Sequence, residues 1–413
     1  MLRARTWQRS LLAIGTLVLS APLAAQTATP DSAKKSAPQA AQVTLPPLNF
    51  SGVIFGSYNY QLPTTPNQFP NQTNNQFIID RAYLTFRIGA GDHTSIRVTT
   101  DVYQTTEATP NAYTVRAKYA YLQYDGNKAT NGSQLIGRLG ILQNVEIDAE
   151  EQFWPRYLSQ VPVERAGYFA SADAGLAAQY TLPNKWGEVY STIVNGPGYT
   201  SRENNRFKDY AARLSLTPLA SSAIAPLAQS LTLTLWGYKG ALASNFVNGN
   251  AALAIAPVGE AMDRSRAGVL VGVREPRLTI AAQYAARRDE RDTASATLPR
   301  TVLGAKGNLW SVYGTVRPLA FMNGTGKSPW GLVGRYDRVS PSTSTDNAPA
   351  GSLVPSTSNS YHTLIAGLFW DLSQKAQLAL DYQESLATNN DLSLSPTPNG
   401  ALKGYFAHFV VNF

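Results

Sequence analysis

Arginine recurs on the polar side of segments in which polar and apolar residues alternate. The clearest case is Ile79–Ile88 (IDRAYLTFRI), where Arg81 and Arg87 share one side with Tyr83 and Thr85. A guanidinium is a planar fork that holds a phosphate or a carboxylate through two hydrogen bonds. The chemistry that this pattern indicates is the reversible binding of small anions.

The residues of covalent and metal catalysis are scarce. The 413-residue chain has no Cys, and its three His residues, His93, His362 and His408, lack any metal-ligand spacing. Ser360 and His362 share a face, as a barrel lipase would require, but two residues of one strand are a weak signal of a nucleophile and its base. We therefore predict no catalytic residue, no metal and no cofactor.

Beta-strands must position the arginines. Segments of about ten residues place Ala, Leu, Ile, Val and aromatic side chains on one face and Arg, Thr, Gln and Tyr on the other, as in a strand between lipid and water. After the N-terminus, no run of 18 apolar residues suggests a membrane helix. Sixteen strands are predicted, at 48–60, 74–89, 93–105, 113–125, 134–144, 173–182, 185–196, 207–217, 229–240, 263–274, 275–286, 307–318, 328–339, 359–371, 375–386 and 402–413.

The connections between these strands alternate in length. Short turns follow most even-numbered strands, and long polar connections follow most odd-numbered ones; 106–112 and 218–228 are exceptions. This alternation is typical of a transmembrane antiparallel β-barrel with both ends in the periplasm. The sequence thus predicts an all-β barrel of about 16 strands over residues 48–413. The alternative, a soluble β-sandwich, would have to bury one face of every strand in a dry core.

The N-terminus has the pattern of an export signal. Arg3, Arg5 and Arg9 precede an apolar run at 11–19 and a small-residue site at 22–25, which predicts a signal peptide over residues 1–25. The run is shorter than the roughly 20 residues of a membrane-spanning helix, so an uncleaved anchor is the weaker alternative. Residues 26–47, rich in Ala, Pro, Thr and Gln, are predicted to be a flexible periplasmic linker.

The alternation assigns most charged side chains to the inner wall, because a charge that faces lipid at mid-membrane costs about 2–4 kcal/mol. The predicted pore-lining basic residues are Arg81, Arg87, Arg97, Arg116, Lys118, Arg138, Arg213, Arg266, Arg274, Arg277 and Arg335, with Arg264, Arg287 and Arg317 nearer strand ends. The predicted inward acids are Asp101, Asp209, Asp337 and Asp381. Excess positive charge favours anions. Lys118 joins this set if Tyr119 and Tyr121 point outward. The alternative is that these charges neutralise one another in ion pairs, such as Arg97 with Asp101 and Arg335 with Asp337.

The connection 145–172 is the longest in the first half of the chain and has the opposite charge. Its acids are Glu146, Asp148, Glu150, Glu151 and Glu164, against Arg156 and Arg165. Its aromatic residues, including Phe153, Trp154 and Tyr157, favour packing on a wall. We expect this constriction loop to fold into the barrel, where its acids would face the wall arginines across a transverse field. An extracellular lid is the alternative.

Several motifs resemble the phosphate-selective porin family of Gram-negative outer membranes. They are Ile79–Phe86, Tyr119–Tyr124 (YAYLQY), Ile136–Gly140 (IGRLG), Val163–Arg165, Gly175–Leu176 and Val194–Gly198 (VNGPG). The final segment Lys403–Phe413 also resembles the closing strand that barrel-assembly machinery reads, with Phe413 as its last aromatic residue. The resemblance covers roughly residues 50–200 and the terminal strand. It implies a sixteen-stranded, usually trimeric barrel with a constriction loop and a basic pathway for phosphate-type anions. The strands contain fewer lysines than that family.

The function expected from these observations is passive diffusion of small anions, with phosphate as one candidate, through a water-filled channel of the outer membrane. A general porin with weak ion preference and a structural or adhesive barrel are the alternatives. The expected partners are outer-membrane lipid, small anionic solutes, two further copies in a homotrimer and the assembly machinery. No nucleic-acid partner is expected.

Overall fold

A computed structural model provides the structure of the chain. It describes residues 47–64, 75–104, 113–203, 205–243, 261–295, 298–322, 327–346, 360–387 and 402–413, without the side chains of 243, 291–303 and 342–346. The predicted signal peptide and nearly all of the predicted linker lie outside the described residues. So do most of the predicted long connections 61–73, 241–262, 340–358 and 387–401, and the short 106–112.

Sixteen antiparallel strands form one closed barrel, in which each strand pairs with its sequence neighbours and β1 pairs with β16. They are β1 Leu48–Gln61, β2 Asn75–Gly89, β3 Thr94–Gln104, β4 Tyr113–Asp125, β5 Gln134–Gln143, β6 Ala172–Thr181, β7 Gly187–Val194, β8 Asp209–Leu216, β9 Thr232–Ala243, β10 Ala261–Glu275, β11 Leu278–Ser295, β12 Leu298–Val316, β13 Trp330–Asp346, β14 Tyr361–Asp371, β15 Ala376–Ala387 and β16 Leu402–Asn412. The predicted architecture is confirmed.

The predicted loop 287–306 is wrong. Strands β11 and β12 continue through it as a paired ladder and leave only residues 296–297 between them. Residues 287–292 are all charged, so this stretch has no apolar face from which a strand could be predicted. An apolar face is needed only where a strand meets lipid, and backbone pairing can continue beyond it.

Helical segments are short and occur between strands. They are α1 Ile147–Glu150, α2 Pro162–Arg165, α3 Pro226–Gln229 and α4 Pro318–Met322, with a 3₁₀ turn at Pro183–Lys185. Helix α3 accounts for the unusual length of the connection between β8 and β9. Within the described part of the chain, no helix is long and apolar enough to cross a membrane.

The outer surface of the barrel is apolar. Large apolar side chains are exposed on strands around the wall, among them Leu122, Leu139, Leu176, Leu235, Leu332 and Leu380. The opposite faces carry polar groups that bond across strands, as Thr85 Oγ1 and Thr99 Oγ1 do at 2.9 Å. An outer surface of this kind matches the hydrocarbon of a bilayer.

Two β-bulges reverse the alternation in the first quarter of the barrel. Asp80 is the extra residue between β1 and β2, and Lys118 is the extra residue between β3 and β4. An extra residue shifts the following side chains to the other face. Consequently Tyr119 and Tyr121 point inward with Lys118, and both rings are buried against Arg97. The expected outward direction of these two tyrosines is wrong.

Candidate functional site

The connection between β5 and β6, residues 144–171, contacts the inner-face side chains of several distant strands. The ring of Trp154 meets that of Tyr313 on β12 edge-on, with centroids 6.1 Å apart. Gln383 on β15 donates a hydrogen bond to the carbonyl of Leu158, at 3.1 Å. Further contacts join Tyr157 to Gln377, Arg213 to the carbonyl of Val145, Arg266 to that of Tyr168 and Arg335 to that of Gln160.

Apolar packing holds this connection on one half of the wall. Val161 and Val163 have no exposed surface, and on the facing strands Leu270 and Ile365 are equally buried. These wall positions are apolar although they face inward, because the connection covers them. The hydrophobic core of the molecule therefore combines residues of the connection with buried side chains of β1 and of strands β4 to β16.

The acids of the connection do not face the wall arginines as a group. Only Asp148 forms an ion pair with a predicted wall arginine, 2.6 Å from Arg213. Glu151 and Glu164 both pair with Arg156, at 2.5 and 2.7 Å, within the connection itself. Among the described residues, Asp148 thus opposes a wall arginine in an ion pair, while Glu146 lies within electrostatic range of Arg213 and Glu150 within that of Arg335.

Glu146 and Glu150 are fully buried, and neither forms an ion pair with a residue of the described chain. Glu150 Oε2 accepts a hydrogen bond from the backbone N–H of Val163 at 3.2 Å, while both side-chain oxygens of Glu146 have no donor. Burial raises the pKa of Glu150 to about 8. Burial, together with the neighbouring Glu150, raises the pKa of Glu146 well above its usual value. Burial thus favours the neutral form of both carboxyls.

The wall formed by β2 to β5 combines basic and aromatic side chains. The ammonium of Lys118 lies 4.1 Å from the centre of the Tyr83 ring, and the guanidinium of Arg97 lies 4.5 Å from that of Tyr119. Arg116 lies 3.8 Å from the centre of the Tyr103 ring. These are cation–π distances.

One buried acid is shared by two of the predicted basic residues. Asp101 Oδ2 lies 3.1 Å from both Arg81 Nη1 and Arg116 Nε. The predicted pairing of Asp101 with Arg97 is wrong, since Arg97 donates instead to Thr99 Oγ1 at 3.1 Å. Asp101, Arg81 and Arg116 together carry a net charge of +1.

The remaining predicted basic residues are dispersed. Arg335 pairs with Asp337 at 2.5 Å, as predicted, and Arg266 with Asp289 at 3.0 Å. Arg138 donates hydrogen bonds to Gln123 and Gln179. Arg87 lies directly opposite Arg97 in the ladder of β2 and β3, and Arg274 lies on β10. Arg165 lies at the end of α2, near Arg335 and Asp337. Arg277 was expected on a strand, but it lies in the turn before β11, where it pairs with Glu275 and stacks on Phe321.

Three of the cavities in the described structure lie beside the connection, and two of them share lining residues. The turn-side chamber, about 660 Å³, reaches the short β14–β15 turn at Ser373–Lys375. The loop-side chamber, about 310 Å³, is lined by Ser57, Asn59, Asp80, Gln160 and His408 among others. Four residues line both chambers: Phe55 and Tyr83 of the wall, and Arg156 and Tyr157 of the connection. The two chambers therefore meet at these four side chains.

The turn-side chamber has an excess of positive charge. Its charged lining residues are Arg97, Lys118, Arg156, Arg317 and Lys375 against Glu151 and Asp371. Alternation placed Tyr83 on the inner side, but Asp80, Tyr119 and Tyr121 were not among the predicted inward residues. Their positions depend on the two bulges, and a bulge is not visible in the sequence pattern.

No catalytic or metal-binding cluster emerges from the described residues. Ser360 donates a hydrogen bond to Ser340 Oγ, and His362 Nε2 lies 3.1 Å from Glu384 Oε1. No group of three or more His, Asp and Glu side chains suited to a metal ion is found in the part of the chain that the structure describes.

No protein-family model and no curated protein sequence matches the chain. Solved structures do match. The outer membrane channel DcaP of Acinetobacter baumannii aligns with a TM-score of 0.57 at 13% identity, over 89% of this chain and 97% of that one. An anion-selective porin from Comamonas acidovorans gives 0.56 at 10% identity, over 89% and 99%. The trimer form of OmpT, an outer membrane protein of Vibrio cholerae, gives 0.53 at 10% identity, over 90% and 99%.

These likenesses show that the chain has the fold of outer-membrane porins. A closed sixteen-stranded barrel with an apolar outer surface is an outer-membrane architecture. The protein is accordingly placed in the outer membrane of Gram-negative bacteria.

Proposed function

We propose that the protein is a porin, a water-filled channel for passive diffusion of small solutes with a preference for anions. The observation that carries this proposal is the meeting of the two chambers at Phe55, Tyr83, Arg156 and Tyr157. A solute that crosses the barrel would pass between the wall and residues 144–171 at this point. In this proposal that connection is the constriction loop.

The anion preference follows from how the charges are distributed. Of the five acids of the connection, Glu146 and Glu150 are fully buried, Asp148 is paired with Arg213, and Glu164 lines neither chamber. The connection places the guanidinium of Arg156 where the chambers meet, paired with Glu151 and Glu164. The excess of basic side chains that lines the turn-side chamber raises the local concentration of anions and repels cations.

Phosphate is the particular anion that the sequence resemblance names. Arg97, Lys118 and Arg156 all line the turn-side chamber and supply several hydrogen-bond donors to one space. A phosphate held there would slow the passage of chloride. A general porin with weak ion preference is the second candidate, favoured by Glu151 and Asp371 in the same lining.

Assembly belongs to the same proposal. The trimer form of one structural neighbour supports a homotrimer, in which part of the apolar outer surface would face other copies and the rest would face lipid. The aromatic Phe413, which pairs through its backbone with Gly52, would be the feature of β16 that the barrel-assembly machinery recognises.

The test is the reversal potential of the refolded protein in planar bilayers across a KCl gradient, with and without added phosphate. We expect chloride to be preferred over potassium and phosphate to reduce the chloride current. The variant Arg156→Gln should lower the chloride preference, whereas Arg206→Gln, at an exposed arginine, should not. A preference for potassium would contradict the anion proposal. Absence of conductance from a folded barrel would contradict the channel and favour a structural or adhesive role.

A further inference from the structure

The carboxylate of Asp80 lines the loop-side chamber without a cation partner. Asp80 Oδ2 accepts a hydrogen bond from Ser57 Oγ at 2.8 Å, and the side chain forms no ion pair with a residue that the structure describes. The adjacent Arg81 does not neutralise it, because the Nη1 group of Arg81 is directed to Asp101 at 3.1 Å. A carboxylate without an ion-pair partner, in a passage whose charged side chains are mostly basic, requires a functional explanation.

A second acceptor lies in the same chamber. Asn59 Oδ1 is buried and has no hydrogen-bond donor in the described structure. An unsatisfied buried acceptor costs free energy unless a ligand or water supplies the donor. Ser57 and Asn59 are alternate residues of β1 and line this chamber with Asp80. An ammonium group, with three N–H donors and a positive charge, fits such a set of acceptors.

Donors occur in the same chamber. All hydrogen bonds of Arg81 to described residues run through Nη1, which leaves its Nε and Nη2 groups for another acceptor. Arg156 lines the chamber from the opposite, connection side. The bulge at Asp80 is what brings Asp80 and Arg81, consecutive in sequence, to the same cavity. Without it, alternation would direct one of them to lipid.

His408, Tyr157 and Tyr83, which also line the chamber, each contact another side chain. His408 is only 6% exposed, and its Nε2 lies 3.1 Å from Asp381 Oδ2. The Tyr157 ring packs edge-on against His408, with centroids 6.2 Å apart. Tyr83 faces the ammonium of Lys118. Both Nη groups of Arg156 are likewise paired, with Glu151 and Glu164. The groups left for a solute are therefore Asp80 and Asn59 as acceptors, and the Nε and Nη2 groups of Arg81 as donors.

We propose that the loop-side chamber is a binding site for small zwitterions that carry an ammonium and a carboxylate, as amino acids do. Asp80 and Asn59 bind the ammonium, and Arg81 binds the carboxylate through its Nε and Nη2 groups. The volume of about 310 Å³ accommodates a molecule of this size. This proposal rests on the proposed channel function and names a solute class for it. A simple anion of equal length gains nothing from Asp80 and is repelled by it.

The test is calorimetric titration of the folded, detergent-solubilised protein, which does not depend on conductance. The probes are glycine, β-alanine and γ-aminobutyrate, each compared with the carboxylate that lacks the amine: acetate, propionate and butyrate. We expect at least one amino acid to bind about tenfold more tightly than its carboxylate partner, which is the effect of one hydrogen-bonded charge. Equal affinities throughout the series, or no amino-acid binding, would overturn the proposal.

The variant Asp80→Asn keeps the size of the side chain and removes its charge, and it should abolish the tenfold difference. Asp92→Asn, in the exposed β2–β3 turn, is the matched control and should leave it unchanged. If Asp80→Asn does not fold, Asn59→Ala removes the second acceptor and should weaken amino-acid binding alone. Unchanged discrimination in the folded variant would overturn the site.

Conductance measured in parallel separates the two proposals. A barrel that conducts ions, and whose current no amino acid reduces, retains the channel function and loses the zwitterion site. A barrel that binds amino acids without conducting retains the site and loses the channel.

Discussion

The ammonium of Lys118, on β4, lies 4.1 Å from the centre of the Tyr83 ring, on β2, with β3 between the two strands. Lys118 is only 3% exposed and reaches this position because it is the bulge residue of β4. The ring face stabilises the cation where hydration is reduced. Lys118 lines the turn-side chamber together with Arg156.

The variant Lys118→Met should lower the permeability ratio of chloride to potassium. We expect a decrease of about threefold, or roughly 0.6 kcal/mol for one charge acting across water. The measurement is the reversal potential in a KCl gradient. Lys239→Met, at an exposed lysine paired with Asp263, is the control and should leave the ratio unchanged. A ratio unaffected by Lys118→Met would show that this lysine does not contribute to the selectivity.

The variant Trp154→Ala should release the connection from the wall. The indole packs against Tyr313, and the guanidinium of Arg335 lies over it, 5.2 Å from the centre of the indole ring. Removal of a buried Trp costs about 3–5 kcal/mol, so we expect larger single-channel conductance and weaker ion discrimination. Trp186→Ala, at a residue 52% exposed, is the matched control. Conductance equal to that of the unmodified protein would contradict the proposal that residues 144–171 narrow the channel.

Alkaline pH should weaken the packing of the connection. The pKa of Glu150 is about 8 in the folded protein and 4.5 without burial, so the packed state holds an extra proton between these values. Stability from this group is complete below pH 4.5, decreases as pH rises and is lost above about pH 8. We expect open-channel current fluctuations to increase from pH 6 to pH 9.

The variant Glu150→Gln isolates this effect, because a glutamine stays neutral at every pH. It should remove the part of the pH response that comes from Glu150 and leave that of Glu146. Glu203→Gln, in the connection after β7, is the control and should retain the full response. A response that is identical in Glu150→Gln and in the unmodified protein would exclude Glu150 as its source.

The variant Phe413→Ala should weaken closure of the barrel. The backbone of Phe413 exchanges two hydrogen bonds with Gly52, and its ring lies 5.9 Å from that of Phe50. Loss of the aromatic pair should cost about 1 kcal/mol, measured as a lower urea midpoint of barrels refolded without cellular factors. Phe321→Ala in α4 is the control. A larger defect in cells than after refolding would support recognition of this residue by the assembly machinery.

The sequence was sufficient for the barrel because a lipid-facing surface imposes the same alternation on every strand. It was insufficient where that rule is locally broken or does not apply. The bulges at Asp80 and Lys118 shift the side chains that follow them to the other face, and nothing in residue type marks these positions. The charges of Glu146, Glu151 and Glu164 were visible, but their burial and their pairing with Arg156 depend on the folded path of the connection.

The pairing of β1 with β16 also sets the order in which the barrel can form. Val53 lies opposite Asn412, so this ladder joins residues that are separated by all the other strands. Each hairpin closes a short loop, whereas this final pairing carries an entropic cost of about 5 kcal/mol for a separation of this order. The pairing of β1 with β16 therefore forms after the hairpins. Until then, β1 and β16 each have an unpaired edge that is open to a chaperone or a neighbouring chain.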